Sequence, residues 1–299
     1  MTNLHPLADG QIRVLIEQLV SEHRGKSWQV KEFTDMNEFS SHPSGILTDG
    51  SYPVFVKFSK AVNGLEQFEL EMKGLRLLFE LSGVLTPVPI GSIPVVGGAV
   101  MVLEGIHEVE RTHKHWHEIG HTLARIHQVK GSRFGLETHN YFGPYYQDNR
   151  LMDDWPSFYA ERRLWPRLMG AINSGHMPSE LIRDIEKLIL RLSEICGPGV
   201  PPTLLHGDAQ QNNFISTDMG AVVIDPAVYY GHPEMDLAYL DYFRPVSDDV
   251  LIGYREVMPV DPGFAERRDL WRVYGYLACV EMDGVAYLPQ LTHAVRRYL

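Results

Sequence analysis

Cysteine is scarce. The chain has two in 299 residues, Cys196 and Cys279, with no CxxC pair. Neither a disulfide framework nor a thiolate metal site is expected, and the composition suits a reducing cytoplasm. Basic residues are also few: 27 Lys and Arg stand against 38 Asp and Glu, a formal net charge of −11. Such a chain would not broadly release counterions from a polyanion, so nucleic acid is not expected as an electrostatic partner. A local basic pocket for a phosphate is still compatible with that balance. No apolar run approaches the ~18 residues of a membrane span, so no membrane partner is expected. The N-terminal MTNLHPLADGQIRVLIEQLV has neither the charged start nor the long apolar stretch of a signal peptide. Internal repeats and low-complexity tracts are missing, which argues against solenoids and arrays. What is there is ordinary for a globular protein: 44% hydrophobic, 22% charged, and a length that fits one large domain or two lobes.

Periodicity divides the chain in two. Ile12, Leu15, Ile16, Leu19 and Val20 recur at helical spacing and predict a helix over 8–23. From Trp28 to Phe58, short runs such as WQVKEF, GILTDG and YPVFVKF, broken by Asp-Gly and Pro, predict antiparallel strands. A helix over 64–81 follows, with Phe68, Met72, Leu75, Leu78 and Phe79 on one face, and then two strands in VPIGSIPVVGGAVMVLEG. Beyond Gly105 the pattern turns helical, over 116–127, 155–172, 179–195, 248–257 and 264–288. The expected class is α+β: a strand-rich lobe over 1–104 that covers a nucleotide, and a mainly helical lobe over 105–299. A ligand site between two such lobes is favoured.

One β island interrupts the helical part: LLHGDAQQNNFISTDMGAVVIDP, from Leu204 to Pro226. NFIS and AVVI can pair as a hairpin across TDMG, which brings Asn213 and Asp225 back together. Phosphoryl transfer needs two hard oxygen ligands for Mg²⁺ and a separate carboxylate that takes the acceptor's proton. The protein-kinase pattern is an aspartate, four intervening residues, an asparagine, then a metal-binding aspartate after the next strand. Asp208, Ala209-Gln210-Gln211-Asn212, Asn213 and Asp225 reproduce that spacing. Asp208 is read as the base, and Asn213 with Asp225 as the metal ligands. Each residue alone would pass for a turn residue; their order is what carries the reading. The same chemistry asks for an upstream lysine on a strand and a glutamate on the following helix. Lys57 in YPVFVKF and Glu71 in EQFELEMKGL meet that need, with Glu66 and Glu69 as alternatives. An edge-strand lysine that blocks aggregation is the competing reading of Lys57. The carbonyl of Glu104 and the N–H of Ile106 could pair with adenine, or MVLEGI could be a plain linker. ATP and Mg²⁺ are thus the expected cofactors.

LLHGD....N followed by VVIDPAVYYGHPEMDLAYL resembles the fructosamine kinase (ketosamine-3-kinase) family, within the aminoglycoside-phosphotransferase branch of the protein-kinase-like fold. HGD is shared across that branch; DPAxYYGxxExDLA, here Asp225 to Ala238, is more specific to the fructosamine kinases. VFVK, FELE, LARIH and DWPSFYAERRLWPRL also match, so the likeness runs from about Val54 onward. It implies ATP-dependent phosphorylation of a hydroxyl on a sugar attached to an amine, a small-molecule acceptor. It also implies that Asp236 buttresses the catalytic loop. Two departures stand out. The glycine-rich turn is poorly matched by DMNEFSSHPSGILTDG, where residues 39–41 would give backbone phosphate contacts. The family's Leu-Trp-Ser-Gly between Asp and Asn is Ala209-Gln210-Gln211-Asn212 here, a change beside the acceptor. Gln210, Gln211, Tyr229, Glu234 and Trp155 are candidates to touch that acceptor. The alternatives are an aminoglycoside- or choline-type acceptor and a non-catalytic pseudokinase. The intact set of Lys57, Asp208, Asn213 and Asp225 speaks against the pseudokinase. The histidines at 107, 113, 115, 117 and 121 are read as solvated loop and helix positions, in preference to a metal cluster.

Overall fold

The computed structural model describes residues 5–37 and 42–299. Residues 39–41, expected to contact phosphate, lie outside the described residues. Contacts divide the chain into two compact units, Met1–Arg111 with Ile215–Asp225, and Thr112–Phe214 with Pro226–Leu299. The division follows packing rather than the change of texture near residue 104.

The first unit is built on a five-stranded sheet of β1 (Glu32–Asp35), β2 (Ser44–Thr48), β3 (Pro53–Ser59), β4 (Pro89–Val95) and β5 (Gly98–Glu104). Its order is β1-β2-β3-β5-β4, antiparallel throughout. Two helices cover it, α1 (Gly10–Arg24) and α2 (Gly64–Ser82). The Asp9 carboxylate caps α1 by accepting from the Gln11 N–H at 2.7 Å and the Ile12 N–H at 3.3 Å. Strand alternation sorts the core. Val54, Val56 and Phe58 of β3 join Val100 and Val102 of β5 in packing with Ile12, Ile16 and Val20 of α1. Ala99, Met101 and Leu103 point the other way and pack with Phe68, Met72 and Leu75 of α2. The face expected for α2 included Phe79, which is exposed instead. By the same alternation Lys57 belongs to the α2 side of the sheet.

The second unit is mainly helical. It contains α3 (His113–Gln128), α4 (Trp155–Phe158), α5 (Trp165–Asn173), α6 (Ser179–Leu190) and α7 (Leu192–Ile195). Further along are α8 (Glu234–Tyr239), α9 (Asp249–Val257), α10 (Phe264–Asp283) and α11 (Leu288–Arg296). Two short antiparallel pairs escaped the sequence reading: β6 (Asn140–Phe142) with β7 (Tyr145–Gln147), and β8 (Thr203–Leu205) with β11 (Tyr229–Gly231). Strands of three residues leave too little alternation to detect. The hairpin β9 (Phe214–Thr217) and β10 (Gly220–Val223) forms across TDMG as expected. All of it but Phe214 belongs to the first unit, within which the Val223 N–H donates to the Leu85 carbonyl at 2.8 Å and the Val109 N–H to that of Ser216 at 2.9 Å. The helix expected over 155–172 is interrupted by a π-helical turn over Tyr159–Leu164. Pro166 has no N–H to offer the Arg162 carbonyl, which instead accepts from the Arg163 guanidinium at 3.0 Å.

Trp155, Phe158, Tyr159, Tyr229 and Trp271 form the aromatic centre of this unit and are all buried. Trp155 and Tyr229 are thus core residues rather than acceptor contacts. His232 stacks on Trp271 with ring centroids 4.9 Å apart and is 3% exposed. Its Nδ1 accepts from the Glu234 N–H at 3.2 Å, so the ring's proton sits on Nε2, which is buried without a partner among the described residues. Burial, then the charge of Arg267, lowers its pKa to about 3. The neutral ring therefore contributes stability above the unfolded value, 6.5, and that contribution drains away as pH falls toward 3. The loss amounts to at most about 5 kcal/mol across the interval. Urea melts between about pH 7 and about pH 4.5 are expected to show a shallower decline for His232→Gln than for the parent. Parallel declines would exclude His232 as the source.

Candidate active site

Lys57 lies on β3, between β2 and β5, so it is an inner-strand lysine and the aggregation-blocking reading fails. It is 4% exposed. A lysine buried at such a position needs anionic partners, because an unpaired ammonium in an apolar sheet is costly. It has two: Nζ donates to Glu71 Oε1 at 2.9 Å and to Asp225 Oδ1 at 2.5 Å. Burial pulls the ammonium's pKa down, but the charges of Asp225 and then Glu71 outweigh it and push the value above the ordinary one. Lys57 is therefore charged. Burial raises the Glu71 carboxyl to about 7, with Lys57 pulling against it and Asp225 pushing with it. Glu71 rather than Glu66 or Glu69 is the partner; those two stand on the exposed face of α2.

Asp225 reaches Lys57 through an unusual backbone. Its φ is +52°, and it is the only non-glycine with positive φ among the described residues. An aspartate tolerates that region better than most residues, at a cost of about 1–2 kcal/mol. The turn lifts the carboxylate out of the line of β10. Strain of this kind collects at functional positions. His42 is a neighbour the sequence reading did not single out. Burial and then the Lys57 charge lower its pKa, and its ring lies 5.8 Å from that of Phe68.

The second unit holds the HGD loop. Asp236 is fully buried and accepts from the His206 N–H at 2.7 Å and the Gly207 N–H at 2.9 Å. The other side of its carboxylate meets His127 Nε2 at 3.1 Å, and His127 Nδ1 meets the Tyr254 hydroxyl at 2.8 Å. A chain of buried polar groups from α3, α8 and α9 thus pins the loop backbone. Gly207 has φ +82°, and a Cβ there would lie 2.0 Å from the Ala227 carbonyl oxygen. No other residue fits that turn. The His206 ring accepts the Asp208 N–H at 3.1 Å, so it shapes the loop. Asn213 closes it: Nδ2 donates to the Asp208 carbonyl at 2.8 Å and to Asp208 Oδ2 at 3.1 Å. Gln210 Nε2 also donates to Asp208 Oδ2, at 3.3 Å. Asn213 spends its amide nitrogen on the loop, which turns its oxygen the other way.

Glu234, a candidate acceptor contact, serves the interior instead. Arg267 grips it at 2.6 and 2.9 Å, and Trp271 Nε1 donates to it at 2.8 Å. Glu104 ends β5, its N–H donating to the Val88 carbonyl at 2.9 Å. The Gly105 N–H is taken by the Pro53 carbonyl at 3.0 Å, and Ile106 follows. No role for His127 was readable from local pattern, because its partners Asp236 and Tyr254 lie 109 and 127 positions away.

The two units thus present an ammonium between two carboxylates, and a carboxylate oriented by two amides. A carboxylate and a carboxamide oxygen are hard donors that suit Mg²⁺.

The family model for fructosamine kinase matches residues 13–299. A probable ketoamine kinase of Synechocystis is 29% identical over 95% of this chain and 96% of its own. A chloroplastic protein-ribulosamine 3-kinase of Oryza sativa subsp. indica is 32% identical over 82% of this chain and 72% of its own. A solved candidate fructosamine-3-kinase from Thermobifida fusca is 31% identical, with a TM-score of 0.83 over 95% of this chain and 98% of that one. At 14% identity and a TM-score of 0.58, a macrolide 2'-phosphotransferase of Brachybacterium faecium shares the fold alone, over 96% of this chain and 98% of that one. The fold is α+β and protein-kinase-like, and the chain belongs to the fructosamine kinase family.

Proposed function

We propose that this protein is an ATP-dependent kinase that transfers the γ-phosphoryl group to a hydroxyl of a ketosamine, a sugar joined to an amine. The observation that carries this reading is the buried Lys57 held between Glu71 and Asp225. A degenerate, non-catalytic relative has no need to keep an ammonium charged at that depth. In this reading the strand-rich unit supplies the nucleotide contacts. Lys57 meets the α- and β-phosphates, Glu71 orients it, and the Glu104 carbonyl with the Ile106 N–H pairs with adenine. Asn213 and Asp225 would hold Mg²⁺, which neutralises phosphate charge when bound. Asp208 accepts the proton of the acceptor hydroxyl as its oxygen forms the new O–P bond and the bond to the β-phosphate oxygen breaks. Asn213 and Gln210 keep the Asp208 carboxylate turned for that step. The cytoplasm is the proposed compartment; no described helix is long and apolar enough to cross a membrane.

A second reading, an aminoglycoside- or choline-type acceptor, is favoured by one observation. Gln210 touches the proposed base where the family usually has tryptophan. The test is ADP release, with ³¹P NMR of the product, on fructosyl-lysine, ribulosyl-lysine, an aminoglycoside and choline. Turnover is expected on a ketosamine, with kcat/KM of about 10⁴ M⁻¹s⁻¹ or more. Faster turnover on the aminoglycoside or choline would replace the proposed acceptor, and no transfer to any of the four would overturn the reading.

A further inference from the structure

Far along the sequence from the HGD loop, the seam between α3 and α9 gathers three ligand-bearing side chains. His117 Nε2 lies 3.0 Å from Glu256 Oε1, and His121 Nε2 lies 2.7 Å from Glu256 Oε2. The two rings stand one turn apart on α3, with centroids 4.5 Å apart. All three donor atoms fall within 4.8 Å of one another. We propose that His117, His121 and Glu256 form a binding site for a zinc-class divalent cation that clips α3 to α9.

The chemistry and the platform both fit. Two imidazoles and one carboxylate are a common ligand set for zinc, with water completing the tetrahedron. Bonds of about 2.1 Å place tetrahedral ligands about 3.4 Å apart, which small side-chain rotations reach from here. A neutral imidazole can keep its proton on Nδ1 and offer Nε2 to the ion. The helices are fixed at close approach: a Cβ on Gly120 would lie 1.9 Å from the Val250 oxygen, and one on Gly253 2.2 Å from the His117 oxygen. Ligands on two helices locked together by glycine contacts are already in place before the ion arrives. The cluster is partly exposed, with side-chain accessibilities of 31% for His117, 39% for His121 and 52% for Glu256, so an ion can enter from solvent. The neighbouring turn repeats the theme without completing it: His113 Nδ1 meets Asp249 Oδ2 at 2.6 Å, one histidine to one carboxylate.

The test uses the untagged full chain, stripped with a chelator and titrated with Zn²⁺ against a chromophoric zinc indicator. One ion per chain is expected, with Kd of about 1 µM or tighter. His117→Gln, His121→Gln and Glu256→Gln should each weaken binding by about tenfold or more. Zinc should also raise the melting temperature of the parent but not of Glu256→Gln, while phosphoryl transfer with Mg-ATP alone stays at the parent level in all three variants. If the parent takes up no stoichiometric zinc, or the variants bind it as well as the parent, the histidine–carboxylate cluster is only a hydrogen-bonded seam. The zinc titration and the melting shift are independent of the acceptor assay above.

Discussion

Replacing Asp208 by alanine is expected to lower kcat by about 10²–10⁴-fold while changing the affinity for Mg-ATP by no more than about threefold. The asymmetry follows from the roles proposed for the two units. In that proposal Asp208 would act on the acceptor's proton, while Lys57, Glu71 and the strand end at Glu104 would serve the nucleotide. Asp208 also accepts hydrogen bonds from Asn213 and Gln210, so alanine removes a loop contact along with the base. Asp208→Asn separates these effects. Its side-chain oxygen still accepts from Asn213, but it takes up no proton. Single-turnover phosphorylation should therefore fall as far in Asp208→Asn as in Asp208→Ala. An asparagine variant within about tenfold of the parent would remove Asp208 from the role of base.

The second large effect belongs to Lys57. Lys57→Met is expected to cost about 10²–10³-fold in kcat/KM for ATP, the usual scale for losing one buried, oriented charge at a phosphoryl centre. It should also change how stability depends on pH. Glu71 already has its carboxyl raised to about 7, mainly by burial, even with Lys57 pulling it down. The sign follows from linkage: a carboxyl raised in the folded state adds stability below its unfolded value, 4.5, and that stability is lost as pH rises through about 7. Without the ammonium, Glu71 faces Asp225 with no cation between them. Its pKa climbs further, and the loss extends to higher pH. Urea melts from about pH 5 to about pH 8 should show the variant losing stability more steeply than the parent. A variant whose stability runs parallel to the parent's would mean that Lys57 does not neutralise that pair.

Much of this was legible in the residues. The strand pattern of the first hundred residues predicted the sheet because one face packs on each of two helices and alternation stays visible. The spacing of Asp208, Asn213 and Asp225 predicted a hairpin between the last two, and β9 and β10 form it. Glu71 was preferred over Glu66 and Glu69, and it is the residue that meets Lys57. Other features left no local trace. The three-residue strands are too short to show a period. The π-helical turn depends on one missing N–H at Pro166. Trp155, Tyr229 and Glu234 sit in a motif beside the proposed site, which made them candidate contacts. Burial, a property of the folded chain, places them in the aromatic core and the Arg267 ion pair.

The sequence by itself determined the mixed α+β class and the oxygen-bearing residues suited to phosphoryl chemistry. Those depend on residue type and short-range spacing, which a linear reading can measure. Only the tertiary structure decided which partners the buried charges take: Lys57 with Asp225 across 168 positions, His127 with Asp236 across 109, and Glu256 with two histidines on α3. Long-range pairing is settled by packing, and here glycines 120 and 253 let α3 and α9 come close enough for their side chains to meet.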